Sequence, residues 1–335
     1  MANIFSHSRF ALKYGLESAG FDGGHSILVP DYNCDVIYHP LRDLGLNLQF
    51  YPINDDFTPQ WDEVEKMRDP STKAIMMVHY FGQPQPIDLF KTFAQKNQIK
   101  LIEDNAHGHG GFIDGRLMGT FGDIGFSSPR KQLNLIYGGI LYMNGQQVPS
   151  PLATSGYMHG SSFKNLIFKS LTSLYELKYA VRKYVIRESS FDDPALFVES
   201  ELSEQMPDKY SESQIDHADW QEIASKRRSS WIGWSEFARQ RGFDLVWDEP
   251  SPGSCPWIMP AYINDKDRRI NILKCSWSAG LGLLPWPSLP DVILRTKGSA
   301  THRWSNLICF PLNKHPRDCN REINHFDDLI NLKTN

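Results

Sequence analysis

The chain is expected to fold as an α/β protein, with a mostly parallel sheet sandwiched by helices and a smaller C-terminal α+β domain. Three observations predict this. Short apolar runs alternate with helical patterns through the first 145 residues, an order that gives a parallel or mixed sheet covered on both sides. The first four runs are nearly continuous in hydrophobicity, as strands buried on both faces are. Eight of the nine tryptophans lie between Trp220 and Trp304, which sets the C-terminal part apart in composition.

Taken in order, Ser26–Pro30, Leu48–Pro52, Ala74–Val78 and Lys100–Glu103 read as buried strands, and Asp123–Ser127 and Gly139–Met143 as two more. Between them, Arg9–Ala19, Asp35–Leu44, Gln60–Lys66 and Asp88–Lys96 carry helical spacing. A long helix is expected over Phe163–Ile186, where leucines and valines alternate with Lys164, Lys169, Lys178, Arg182 and Lys183. The acidic stretch Glu188–Asp208 reads as a linker, and Glu212–Arg228 as a further helix. The division is therefore placed at 1–190 for the large domain and 191–335 for the smaller one. Ligands of such sheets bind beyond the strand C-termini, where Pro30, His79, Asp104 and Ser127 emerge.

Composition narrows the function classes. With 41% hydrophobic and 22% charged residues among 335, this is the make-up of a soluble globular protein. A net charge of -4 gives no electrostatic reason to expect nucleic acid as a partner. Five cysteines without a CxxC pair suggest neither a disulfide framework nor a metal site. The first residues, Met1 to His7, carry no basic segment followed by an apolar run, so no signal peptide is read there. No stretch approaches 18 uninterrupted apolar residues, and a cytoplasmic location is expected. The basic helix within 163–187 raises membrane-surface contact, but docking of its apolar stripe on the large domain is the preferred reading.

The chemistry concentrates in two places. Ile102–His107 is a buried strand ending in a carboxylate, Asp104, with His107 three residues on. Lys131 follows in the loop after the strand that ends at Ser127, just before the Gly138–Gly139 pair. A buried, ionised carboxylate can pair with a protonated pyridine nitrogen, and a lysine can bind the aldehyde of the same cofactor. Arg130 is no rival for that role, because a guanidinium stays protonated. Ser8–Arg9 opens the first helix, whose free N–H groups suit a phosphate. After His79, the Gly82–Gln83–Pro84 turn can bring backbone close to a bound ring. The Trp286 ring, in the proline-rich stretch Leu284–Ser288, can stack on a sugar face.

Together, His79–Pro84, Glu103–His107, Gly119–Ser127, Lys131–Leu133 and Gly138–Gly139 occur in the order seen in the DegT/DnrJ/StrS-type sugar aminotransferases, and the chain resembles that family. Ser8–Leu12 looks like its first cofactor-phosphate helix, Tyr210–Gln214 like its Met-Ser-Glu-Leu-Gln helix start, and Phe310–Leu312 like a late strand. The resemblance covers roughly residues 6 to 315. It implies the aspartate aminotransferase fold (fold type I), pyridoxal 5'-phosphate as cofactor, and a homodimer. Carried over residue by residue, Lys131 is the lysine that binds the aldehyde and Asp104 the partner of the ring nitrogen. His107 contacts the ring or its phenolic oxygen, Gln83 lies beside the cofactor, and Ser127 with Ser8 and Arg9 holds the phosphate. Related dehydratases have histidine in place of the lysine, so Lys131 implies transamination, with glutamate the expected donor and a keto-sugar, expected to be nucleotide-linked, as acceptor. Trp286 lies in a stretch the family uses near the substrate.

The chain also departs from the family pattern. Only about five residues precede the first phosphate helix. Cys34 stands where an aromatic is often found, with Tyr32 as its substitute. Pro207 falls near the asparagine that a neighbouring subunit sends to the phosphate, with Lys209 where an arginine is common. The Ser127–Lys131 loop is one residue short. Two competing readings follow: a catalytically lapsed homologue serving as a binding or regulatory protein, or an aminotransferase for a non-nucleotide ketone.

Overall fold

In a computed structural model, residues 4–151, 191–192, 207–296 and 298–334 are described. The helix expected over 163–187 and most of the linker expected over 188–208 lie outside the described residues. The predicted strands are present with small changes at their ends. β1 (Ser26–Pro30), β2 (Asn47–Tyr51), β3 (Thr72–Val78) and β4 (Lys100–Asn105) are followed by a two-stranded hairpin, β5 (Phe112–Ile113) and β6 (Arg116–Leu117). Then come β7 (Ile124–Ser127), β8 (Ile140–Met143) and β9 (Gln146–Val148).

Seven of these pair in the order β2-β1-β3-β4-β7-β8-β9, parallel from β2 to β7 and antiparallel thereafter. The register sets Val78 beside Asp104 and Asn105 beside Ser127, so the ends of three parallel strands line up at one edge. The reversal after β7 has a local cause. The β7–β8 connection holds only the four-residue helix α5 (Arg130–Leu133), too short to cover a sheet face as a crossover helix does.

Helices flank the sheet. Helix α1 (Ser8–Ser18) buries Ala11, Leu12, Gly15 and Leu16. It lies so close to the sheet that a Cβ on Gly15 would stand 2.9 Å from both Ile124 and Leu141. The stretch Asp35–Leu44, expected to be one helix, is a 3-10 turn (Asp35–Ile37) and then the short helix α2 (His39–Asp43), broken where Pro40 enters the first turn. Helix α3 spans Trp61–Met67. Helix α4 (Ile87–Asn97) places Phe90 and Phe93 in the core. Each such aromatic contributes about 1.5–3 kcal/mol by leaving water.

Further along, the helix expected over Glu212–Arg228 is two helices, Lys209–Asp216 and Trp220–Gln240. Asp219 makes the break, its carboxylate accepting the Glu222 N–H at 2.9 Å; an aspartate at that point caps a new helix rather than continuing the old one. Strands β10 (Asp244–Leu245), β11 (Ile258–Tyr262) and β12 (Leu307–Pro311) form an antiparallel sheet with its own core around Trp231, Trp234 and Phe310. The main core nevertheless takes in Ile258, Trp286 and Trp304, so the C-terminal half also packs on the large sheet. Among the described residues no helix is long and apolar enough to cross a membrane.

Candidate active site

A cavity of about 310 Å³ opens beyond the C-terminal edge of the parallel strands, within the range of small-molecule sites. Asp104, at the end of β4, is on its wall and 4% exposed. One carboxylate oxygen accepts the Ala106 N–H at 2.9 Å, and the other lies 3.4 Å from the Asn33 amide nitrogen. Burial raises its pKa; the Ala106 N–H, the Lys131 charge and Asn33 act against the rise. A buried carboxylate so placed gains most from a cation brought into the cavity.

Lys131 lines the same cavity from α5, whose first turn is closed by the Lys131 N–H to the Ser128 carbonyl at 3.0 Å. Its Nζ lies 4.5 Å from the centre of the Trp257 ring, within cation–π range. His107 sits among aromatics: stacked on Phe81 at 6.0 Å, tilted 4.8 Å from Trp257, and edge-on 4.9 Å from Trp286. The Phe81 N–H donates to His107 Nδ1 at 3.2 Å. Burial, and then the Lys131 charge, push the His107 pKa well below the usual histidine range, so the ring is neutral and its proton is assigned to Nε2.

The other end of the cavity is cationic. Arg9, Arg130 and Ser8 line it where α1 begins, and no side chain caps that helix. The positive end of the helix dipole adds to the two guanidinium charges. Burial, then Arg130 and Arg9, lower the His7 pKa to about 3, and its buried Nδ1 has no hydrogen-bond partner among the described residues. An anion placed here would meet fixed positive charge.

Behind the wall, Glu103 holds the sequence between Gly119 and Ile124 in place. One carboxylate oxygen accepts from His79 Nε2 at 2.9 Å and the Gly119 N–H at 2.6 Å. The other accepts from the N–H groups of Phe121 at 2.5 Å and Gly122 at 2.8 Å. His79 Nδ1 accepts the Gln85 N–H, which fixes its proton on Nε2. Burial alone would raise the Glu103 pKa, but the His79 bond and the backbone N–H groups outweigh it and hold the carboxyl below its usual range.

The structure thus brings Ser8, Arg9, Asp104, His107, Lys131 and Trp286 to one cavity. It does not bring Tyr32, Gln83 or Ser127 to that wall. The Tyr32 hydroxyl donates to the Trp286 carbonyl at 2.5 Å, and the ring is fully buried. Gln83 accepts the Ser251 N–H at 2.8 Å, and the turn at Gly82, where φ is +90°, approaches His107 and Pro256 backbone. Ser127 Oγ lies 3.1 Å from His109 Nδ1 in the interior. Trp286 lines the cavity yet is 6% exposed, edge-on to Tyr32, Tyr80, Phe81 and His107. Sequence reasoning missed Asn33 and Trp257, and weighed Arg130 only against Lys131. Asn33, three residues past the end of β1, obeys the strand-end rule that found Asp104. No local signal marks Trp257.

Comparisons with known proteins bear on the family and the fold. Residues 5–162 match the model of the DegT/DnrJ/EryC1/StrS aminotransferase family. The dTDP-3-amino-3,4,6-trideoxy-alpha-D-glucose transaminase of Micromonospora megalomicea subsp. nigra is 32% identical over 114 residues, 34% of this chain and 30% of that protein. The GDP-4-keto-6-deoxy-D-mannose 3-dehydratase of Yersinia pseudotuberculosis is 31% identical over 110 residues, 32% of this chain and 28% of that protein. The chain therefore spans about a third or less of the length of these two relatives. The solved structure of 3-amino-5-hydroxybenzoic acid synthase superposes with a TM-score of 0.69 at 16% identity, covering 98% of this chain and 85% of that one, which shows a shared fold.

Proposed function

Starting from the fact that residues 5–162 carry a DegT/DnrJ/EryC1/StrS aminotransferase family domain, we propose that the protein is a pyridoxal 5'-phosphate-dependent aminotransferase acting on a keto-sugar. One observation carries the reading: a buried carboxylate, a lysine and a doubly guanidinium-lined helix start share one cavity. The donor set fits the cofactor at each of its polar ends. Asp104 suits the ring nitrogen, Lys131 the aldehyde, and Ser8, Arg9 and Arg130 the phosphate, beside His7 Nδ1, which has no partner among the described residues. When bound, the cofactor supplies an electron sink for negative charge at the substrate carbon.

The chain's own residues do the rest. Asp104 holds a proton on the ring nitrogen by charge pairing. Lys131 binds the aldehyde and, as a free amine, moves a proton at Nζ as general base. Neutral His107 offers an N–H at Nε2. Trp257 faces the lysine ammonium, and Trp257 with Trp286 packs on the His107 ring and keeps it buried. We assign the cofactor to residues 1–190 and the aromatic wall to 191–335. Glutamate as donor, a nucleotide-linked acceptor, a homodimer and a cytoplasmic location complete the proposal; relatives named for dTDP- and GDP-linked sugars support the acceptor class.

Purified protein mixed with pyridoxal phosphate should acquire the visible absorption band of a lysine-bound cofactor, and Lys131→Ala should lose it. A wild type that takes up no cofactor would sink the enzyme reading and leave the lapsed-homologue reading in its place. If the cofactor binds but no member of a nucleotide-sugar panel does, the acceptor class is wrong and a non-nucleotide ketone takes its place.

A further inference from the structure

The geometry points to Arg227 as a positioning residue for the Lys131 site, setting the separation between the turn that carries the lysine and the aromatic ring that faces it. The inference deepens the reading above and rests on its assignment of Lys131. Arg227 lies on the helix Trp220–Gln240 and is 6% exposed. One guanidinium nitrogen donates to the carbonyls of Pro256 at 3.2 Å and Trp257 at 3.0 Å; the other donates to the carbonyl of Gln132 at 2.8 Å.

These bonds close a circuit. The Gln132 amide donates to the His107 carbonyl at 2.9 Å. His107 Nδ1 accepts the Phe81 N–H at 3.2 Å, and the Phe81 carbonyl accepts the Trp257 N–H at 3.0 Å. From Trp257 the path returns through Arg227 to Gln132, the neighbour of Lys131. The circuit thus borders the lysine on two sides, through its chain neighbour Gln132 and through Trp257, whose ring lies 4.5 Å from the ammonium.

Three of its members, Phe81, His107 and Gln132, come from the family-matched residues 5–162, and Trp257 immediately precedes β11. Arg227 hydrogen-bonds both the Trp257 backbone and the lysine turn. The residue type suits the task. A guanidinium is a flat fork with donors aimed along fixed directions, so two nitrogens can span two segments at a set distance. A lysine in its place has one nitrogen on a flexible stem and can hold one segment or the other.

Loss of Arg227 therefore leaves Lys131 chemically present but free to shift from Trp257, and small misplacements of a reacting group are costly. The test compares Arg227→Met and Arg227→Lys with Arg228→Met, whose parent side chain contacts the Ser254 carbonyl outside the circuit. In the cofactor-loaded protein, both Arg227 variants should lower kcat by about tenfold or more with KM for the amino-acid donor within about threefold. Both should also move the pH midpoint of the visible band by about one unit. Cofactor-free protein gives a second readout: competitive acetylation with acetic anhydride, read by peptide mass, should show an altered rate at Lys131 relative to the other lysines in the Arg227 variants alone.

A folded Arg227→Met protein matching Arg228→Met in kcat, band midpoint and Lys131 labelling would overturn the inference. Should Arg227→Met not fold, Arg227→Lys decides by the same three readouts. Absence of cofactor uptake by the wild type strikes the proposed function instead, and the labelling of cofactor-free protein still decides the role of Arg227.

Discussion

Replacing Glu103 by glutamine tests whether the site rests on a buried carboxylate clamp. The substitution keeps shape and volume but exchanges one acceptor oxygen for an NH2 group. In the native protein each oxygen faces two N–H donors: His79 and Gly119 on one side, Phe121 and Gly122 on the other. Whichever way the new amide turns, its NH2 meets two of them, and His79 cannot switch tautomer without losing the Gln85 N–H. Two buried donors left unsatisfied cost about 1–3 kcal/mol each, so a loss near 4 kcal/mol is expected. For 335 residues that is a drop of about 6 °C in Tm. Urea unfolding and thermal melts of cofactor-free protein measure it. The pH dependence has a definite sign. The folded pKa of Glu103 lies below its ordinary 4.5, so its stabilisation is present above that value and is lost as pH falls through the folded pKa. The gap between wild type and Glu103→Gln should therefore narrow in acid. Equal stability of the two proteins at neutral pH would refute the clamp.

Other substitutions separate stability from function. Burial raises the pKa of Asp104 from 3.8, so its charge opposes folding of the cofactor-free protein as pH rises through the folded value. Asp104→Asn should thus be at least as stable as wild type at pH 7 by thermal melt, while binding pyridoxal phosphate at least about tenfold more weakly by titration, the equivalent of about one pKa unit of lost charge pairing. Trp286→Ala should cost about 3–5 kcal/mol in urea unfolding, because this cavity-wall residue is also core. Trp286→Phe, which spares most of that packing, is the variant in which altered sugar binding can be read.

The strands and the Asp104–Lys131 pair were legible from local pattern and motif order. A short apolar strand closing on Glu103 and Asp104 is a mark that neighbouring residues impose, while Lys131 was singled out by its place after Ser127 together with the ordered family motifs around it. Tyr32, Gln83 and Ser127 are different cases. The family resemblance led us to expect each beside the cofactor, yet none lines the cavity, because the way each side chain turns is decided by distant partners: Trp286, Ser251 and His109. Gly119–Ser127 was recognisable as a motif, yet its physical role here is to offer N–H groups to Glu103. Trp257 was illegible for a general reason: a tryptophan among many in the C-terminal half reads as core, and only long-range packing turns its ring toward Lys131.

Leu284 and Cys309 exchange backbone hydrogen bonds of 3.0 and 2.8 Å, and this bridge joins the stretch carrying Trp286 to β12. The ribosome therefore delivers the two halves of the cavity at different times. At about 5–20 residues per second, roughly 10–30 s pass between the synthesis of Gly139 and that of Cys309. Through that interval Asp104, His107 and Lys131 belong to a nascent chain whose binding pocket is open on one side. The cavity that Lys131 lines is accordingly walled on both sides only once β12 has been made.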